Sequence, residues 1–355
     1  MKFDEPKKII LLWLWIGFGM ILIQILLGGI TRLTGSGLSI TRWEIVTGIL
    51  YPFGEEKWNY YFDLYKQTPQ YQKINQDINL VQFKFIFFWE YLHRLWARLM
   101  GFIFLIPFLF FVIKKWLDKK LLVRLIIVFL LAVLVASLGW IMVASGLLQR
   151  PWVNAYKLSF HLIAAVTLLS YLFITIIKTR EVNGIPERSK VVNIFLILLI
   201  GLIAIQIFIG GIMAGMKAGL IAPTWPKINK QWIPDQLFHL SSLYNYLFTE
   251  YEISHTGPLI IQFFHRTLAY IIFIVIISFS VFVKMKLKIA GLLLICLAQI
   301  ILGIWTLIEC TGYVPLWPAV LHQFLGVLLL IYVLWLYFTY ESESKSLVIA
   351  KGQLK

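Results

Sequence analysis

Six histidines occur in the 355 residues of this chain, and four of them, His93, His161, His265 and His322, fall inside apolar stretches. Ionisable side chains within a membrane are costly and mostly functional. Two imidazoles on facing helices of a four-helix bundle bind a metal ion or ligate heme iron from both sides. Three features favour heme. The second pair has no carboxylate or cysteine at the spacing of a zinc or di-iron site. One turn beyond each histidine, on the same helix face, stands a small residue (Ala97, Ala165, Ala269 and Gly326), which leaves room for a flat, wide porphyrin. Arg94 and Arg266 directly follow His93 and His265, where a guanidinium pairs with heme propionates. Small residues also serve plain helix packing, so that reading stays open. His239 and His255 lie in a polar stretch and read as solvated.

The two histidine pairs differ chemically. Glu90 stands three residues before His93, whereas Gln262 stands three before His265, each on the face of its histidine. A buried carboxylate can shift its pKa and move protons, and an amide cannot. The alternative for Glu90 is an ion pair with Arg94, four residues on. The asymmetry suggests a permanent electron-transfer heme in the C-terminal half and a heme that is acted upon in the N-terminal half. The stretch 31–39 is rich in glycine and hydroxyls around Arg32; it reads either as a cradle of backbone N–H groups for an anion or as a capped turn.

The elements that must position these residues are membrane helices. The chain is 60% hydrophobic and 14% charged, with a mean hydropathy of +0.83, which excludes an ordinary soluble enzyme. Crossing a hydrocarbon core of about 30 Å takes about 20 apolar residues. Residues 9–30, 125–149, 158–177, 191–216, 289–308 and 311–340 are free of acidic and basic side chains and long enough to span. Two further stretches, 80–113 and 258–283, are long enough but carry charge in their first halves. Eight spans place both termini on one side, where 18 Lys and Arg lie against 10 on the other. The positive-inside rule puts both termini in the cytoplasm and the long loops outside. The net charge of +15 is thereby explained by topology, without nucleic acid as a partner. The short, acid-containing N-terminus resembles neither a transit peptide nor a cleavable signal, and so favours a bacterial inner membrane. Cys296 and Cys310 read as small apolar fillers.

The chain also repeats itself. The run from Gln24 to Ile30 aligns with that from Gln206 to Ile212, carrying Gly28-Gly29 onto Gly210-Gly211; the same offset carries Trp43 onto Trp225 and Pro52 onto Pro234. His93-Arg94 matches His265-Arg266, and His161 matches His322. The expected fold is therefore an all-α integral membrane protein of eight transmembrane helices, arranged as two tandem four-helix bundles in a parallel pseudo-twofold repeat. The units are residues 1–180 and 181–355, with the candidate substrate heme in the first and the resident heme in the second.

These motifs together resemble the heme A synthase family, in its alphaproteobacterial and mitochondrial branch. The resemblance rests on residues 28–39 (Gly-Gly-Ile-Thr-Arg-Leu-Thr-Gly-Ser-Gly-Leu-Ser), Trp43, residues 90–94 (Glu-Tyr-Leu-His-Arg), Arg98, Phe160-His161, Phe264-His265-Arg266 and Leu321-His322. It implies oxidation of the C8 methyl of heme O to a formyl group by two successive hydroxylations, through a hydroxymethyl stage and a gem-diol that loses water. It also implies that His265 and His322 ligate a heme b, that His93 and His161 hold the substrate heme, and that Glu90 assists near the methyl. A heme O synthase in the same bilayer and an electron donor of quinol or ferredoxin type are the expected partners, and a homo-oligomer is left open. Residues 31–79 and 217–257 contain no cysteine, so the thiol pair of the family's other branch has no counterpart there. The competing expectation is a diheme cytochrome b that only passes electrons; it does not explain why one half alone lost its acid.

Overall fold

A computed structural model describes residues 5–42, 50–147, 150–180, 189–238, 243–283 and 287–339. Trp43 and His239 lie outside these residues, as does most of the segment joining the two expected units. Among the described residues, eight helices are long and apolar enough to cross a membrane. They are α1 (Glu5–Leu33), α4 (Leu80–Ile113), α5 (Lys119–Leu147), α6 (Ala155–Thr179), α7 (Lys190–Gly215), α8 (Thr256–Phe282), α9 (Leu287–Ile308) and α10 (Leu316–Thr339). Hydrocarbon leaves no partner for a free backbone amide, so every apolar run becomes helix.

Polar caps set several ends. Asn79 and Gln82 form a reciprocal capping box at the start of α4. Asn154 accepts from the N–H groups of Tyr156 and Lys157 at the start of α6, and Ser189 accepts from Val192 at the start of α7. The last helix begins at Leu316 rather than near 311, because Gly312 is left-handed (φ 85°) and Pro315 disfavours helix before it.

Helices α1, α6, α7 and α10 form the inner cluster. Helix α1 packs on α6 and α10, and α7 on the same two. Helix α4 lies against α1, α5 against α6, α8 against α7, and α9 against both α10 and α8. Leu14, Leu125, Leu169, Leu196, Leu199 and Ile276 belong to one continuous apolar core. The α6–α7 contact is close: a Cβ on Gly215 would stand 2.5 Å from the Ala155 Cα, and one on Gly211 2.8 Å from the Ser159 Oγ. Gly215→Ala is therefore expected to destabilise the fold by about 1–3 kcal/mol, read as a lower melting temperature in detergent.

Between the first two spans the chain folds two short helices that the sequence reading took as loop, α2 (Glu55–Lys66) and α3 (Pro69–Lys73). Trp58, Phe62 and Tyr65 of α2 pack on Phe83, Ile86 and Phe87 of α4, in an apolar cluster apart from the main core. The Tyr65 hydroxyl donates to Gln70 Oε1 (3.0 Å), and burial pushes its pKa up to about 12. Gln70 in turn donates to the Gly35 carbonyl (3.0 Å), so α2 and α3 hold the 31–40 turn against the outer end of α4.

Arg150 bridges to Glu252 (2.7 Å), Asn154 donates to the Tyr251 hydroxyl (2.7 Å), and Tyr156 donates to the Leu247 carbonyl (2.6 Å). These bonds tie the start of α6 to the segment preceding α8.

Candidate heme sites

Each of the four intramembrane histidines leans on a neighbouring helix at a glycine. A Cβ on Gly28 (α1) would lie 3.4 Å from His93, one on Gly139 (α5) 2.9 Å from His161, one on Gly210 (α7) 3.1 Å from His265, and one on Gly303 (α9) 2.8 Å from His322. Without these hydrogens-only positions, the rings could not lie flat against their helices. Gly303→Ala drives a methyl into the His322 ring and is expected to turn it; the check is loss of a bis-imidazole heme absorbance in the purified protein.

Hydrogen bonds orient the rings. His161 Nδ1 lies 3.0 Å from the Val135 carbonyl, and His322 Nδ1 lies 3.1 Å from that of Gln299. A carbonyl only accepts, so Nδ1 carries the proton and Nε2 keeps the lone pair a metal needs. The amide of Gln24 donates to the His93 carbonyl (3.1 Å), which fixes which end is nitrogen, and the same nitrogen lies 3.0 Å from His93 Nε2. Gln206 repeats this at His265, at 2.9 and 3.3 Å. Here too Nε2 is the acceptor, since an amide nitrogen only donates.

The His265 and His322 ring centroids are 6.3 Å apart. Two imidazoles on opposite sides of one metal, with metal–nitrogen bonds of roughly 2 Å, place their centroids about 6 Å apart, so this pair suits axial ligation. His93 and His161 lie within electrostatic reach of each other. Among the described residues, no three His, Cys, Asp or Glu side chains gather into a metal cluster. The donors at each site are a bare pair of imidazoles, the set that a porphyrin supplements with four nitrogens of its own. Buried polar atoms without a hydrogen-bond partner collect around these rings: Oε1 of Gln24, Gln206 and Gln299, and Nδ1 of His265. Of the small residues one turn on, Ala97 is exposed, Ala165 and Ala269 are half-buried, and Gly326 faces Gln299.

Glu90 and Gln262 are both buried, and both fasten the turn that follows the preceding span. Glu90 Oε2 accepts from Ser39 N (2.7 Å), Ser39 Oγ (2.7 Å) and Ile40 N (2.9 Å), while Oε1 accepts from Arg94 Nη2 (2.6 Å). Gln262 Nε2 donates to the carbonyls of Ala218 (3.2 Å) and Ala222 (3.1 Å). One turn presents donors and the other acceptors, and each anchor has the matching polarity. The arginines extend the same fastening. Arg94 donates to the Ile40 carbonyl (3.2 Å), and Arg266 to those of Thr224 (3.1 Å) and Pro226. The glutamines and ring-facing glycines are the residues that sequence reasoning missed. Gln24 and Gln206 stand at matching positions of the repeat, a polar pair inside apolar runs, and that was their visible signal.

The family model for COX15-CtaA, described as cytochrome oxidase assembly protein, matches residues 11–334. A heme A synthase of Rickettsia conorii is 39% identical over 350 residues, covering 95% of this chain and 99% of that protein. One from Rickettsia prowazekii is 38% identical over 348 residues, covering 95% and 99%. One from Pelagibacter ubique is 38% identical over 334 residues, covering 92% and 95%. With the family model matching residues 11–334, a range that includes all four intramembrane histidines of this chain, the chain belongs to the COX15-CtaA family of cytochrome oxidase assembly proteins.

Proposed function

We propose that this chain is a multi-pass bacterial inner-membrane enzyme that converts heme O to heme A, as the relatives' name and the paired intramembrane histidines together support. The chemistry is two successive hydroxylations of one substrate methyl, C–H to C–OH each time, followed by loss of water from the gem-diol to leave the formyl group. The observation that carries the reading is the two pairs of imidazoles within membrane-spanning helices, with His265 and His322 set 6.3 Å apart between ring centroids.

His265 and His322 would hold a resident heme b, a reading supported by the 6.3 Å separation of their ring centroids. That group, when bound, supplies one-electron transfer. His93 and His161 hold the substrate heme. The Val135 carbonyl fixes the His161 ring with its Nε2 lone pair free, whereas His93 Nε2 accepts from Gln24, whose amide would have to give up that atom when the substrate heme binds. Glu90 belongs to this site through the 31–40 turn, which it and Arg94 hold against α4 and which shields the substrate side from the outer aqueous phase. A carboxylate this close to the substrate histidine also remains the candidate for proton movement during methyl oxidation.

We read the eight spans as two tandem units, residues 1–180 and 181–355, with cytoplasmic termini. Support comes from helix packing in which α1, α4, α5 and α6 meet as α7, α8, α9 and α10 do: first on second, third on fourth, first on fourth. The charge bias supports the orientation. A heme O synthase would supply the substrate, and each hydroxylation, a two-electron oxidation of the methyl carbon, would take one oxygen atom from dioxygen while a quinol or ferredoxin-type donor gives the two electrons that reduce the other to water.

The test is co-expression with a heme O synthase in a host that lacks heme A, followed by chromatography of extracted hemes. A heme A peak is expected, with the hydroxymethyl intermediate beside it. Unconverted heme O next to a bis-histidine heme b spectrum, in a host shown to supply the electron donor, would instead establish an electron-transfer cytochrome.

A further inference from the structure

Two cations stand at the ends of α1 and α7. Arg32 is half-buried in the last turn of α1, one turn beyond the Gly28 that faces His93, and Lys217 follows the end of α7, where Gly215 packs on Ala155 at the start of the helix that carries His161. The Lys217 ammonium lies 5.7 Å from the ring centroid of Trp152, just before α6. Among the described residues, neither cation forms an ion pair with a carboxylate. Burial first, and Arg32 second, hold Lys217 below the ordinary lysine value, a shift that a bound carboxylate would reverse.

The backbone supplies an independent observation. Lys217 is left-handed, with φ 51°, a conformation disfavoured for any residue with a Cβ. The matching turn after α1 has Gly35 there, with φ 68°. Each N–H donates to the carbonyl three residues back, Gly35 to Arg32 and Lys217 to Ala214, both at 3.1 Å. The same turn is thus made without strain by glycine in one half and with strain by lysine in the other. The residue matching Arg32 is Ala214, so each half contributes a cation that the other lacks. Backbone strain that persists in a fold points to a side chain retained for use. Arg94 and Arg266, which the sequence suggested for propionates, are engaged with turn carbonyls.

We propose that Arg32 and Lys217 together bind a carboxylate of the heme held by His93 and His161, so that a residue of the C-terminal half completes the N-terminal site. This rests on the substrate-site reading above. A guanidinium offers a carboxylate two parallel donors, and the ammonium adds a point charge from the other side.

The test titrates the full-length protein with iron protoporphyrin IX and with its dimethyl ester, following the Soret difference. Wild type is expected to prefer the free acid by about tenfold or more, the worth of one charged hydrogen bond. Arg32→Gln and Lys217→Gly should each bring acid and ester to near-equal affinity. Lys217→Gly should at the same time raise the melting temperature, because glycine relieves the strained turn; a lysine with only a structural role would not weaken acid binding. Equal affinity for acid and ester in wild type, with binding abolished by His93→Ala, overturns the carboxylate site alone. Binding indifferent to His93→Ala overturns the substrate-site reading and this inference with it. Repeating the titrations in phosphatidylcholine and phosphatidylglycerol nanodiscs separates the heme carboxylate from a lipid phosphate. The acid preference should be the same in both, and an effect confined to phosphatidylglycerol assigns the two cations to lipid and overturns the proposal.

Discussion

Replacing His265 with alanine is expected to strip heme b from the purified protein while leaving it folded in the membrane. On the reading proposed above the ring is one of the two imidazoles that would hold the heme, and among the described residues no three His, Cys, Asp or Glu side chains gather there to take its place. Loss of a residue that merely orients a metal ligand costs about 10–100-fold in affinity, so loss of the ligand itself should cost more. His322→Ala should behave alike. His93→Ala and His161→Ala should keep the heme b absorbance and lose substrate binding. Dithionite-reduced minus oxidised spectra of the four variants check this. A heme b band that survives His265→Ala but disappears in His93→Ala would reverse the assignment of the pairs.

Glu90→Gln is expected to suppress heme A formation by tenfold or more while heme b stays bound. Glu90 takes five donors in the structure, three from the 39–40 turn and two from Arg94. A glutamine has one acceptor end, so in either orientation its NH2 group confronts a donor. It also strips Arg94 of its anion, and breaking a buried pair from one side costs about 3–5 kcal/mol. That strain falls on the turn roofing the substrate histidine. Hydrogen exchange should therefore speed up at the Ser39 and Ile40 amides in the variant, alongside the fall in heme O conversion. Full activity in Glu90→Gln would remove the residue from the mechanism. Lost activity with unchanged exchange at the turn would leave proton movement as its whole role.

Much of this was legible in the sequence because hydrocarbon permits so few alternatives. Uncharged runs became helices, and errors in the spans were confined to the ends, as where Asn154 and Ser189 cap helices that begin before the apolar run does. The histidines stood out for the same reason, as ionisable groups in apolar surroundings. Helices α2 and α3 were not legible. They are short, polar overall, and held by Trp58, Phe62 and Tyr65 against α4, a tertiary contact that local periodicity cannot announce. Nor were the partners of the rings. Gly139 and Gly303 look like any membrane glycine until α5 and α9 are seen packed on α6 and α10. Glu90 was legible as an asymmetry, but that its counterpart performs the mirror-image fastening emerges only from the turns.

That reversed polarity has an evolutionary and practical corollary. If the halves descend from one duplicated ancestor, the anchor at position 90 and the turn at 39–40 must have changed together, since a carboxylate facing the Ala218 and Ala222 carbonyls, or an amide facing the Ser39 and Ile40 N–H groups, leaves like against like. Anchor and turn should therefore covary among homologues as one heritable module. A chimera that transplants the first turn into the second half should fold only when Glu90 travels with it in place of Gln262.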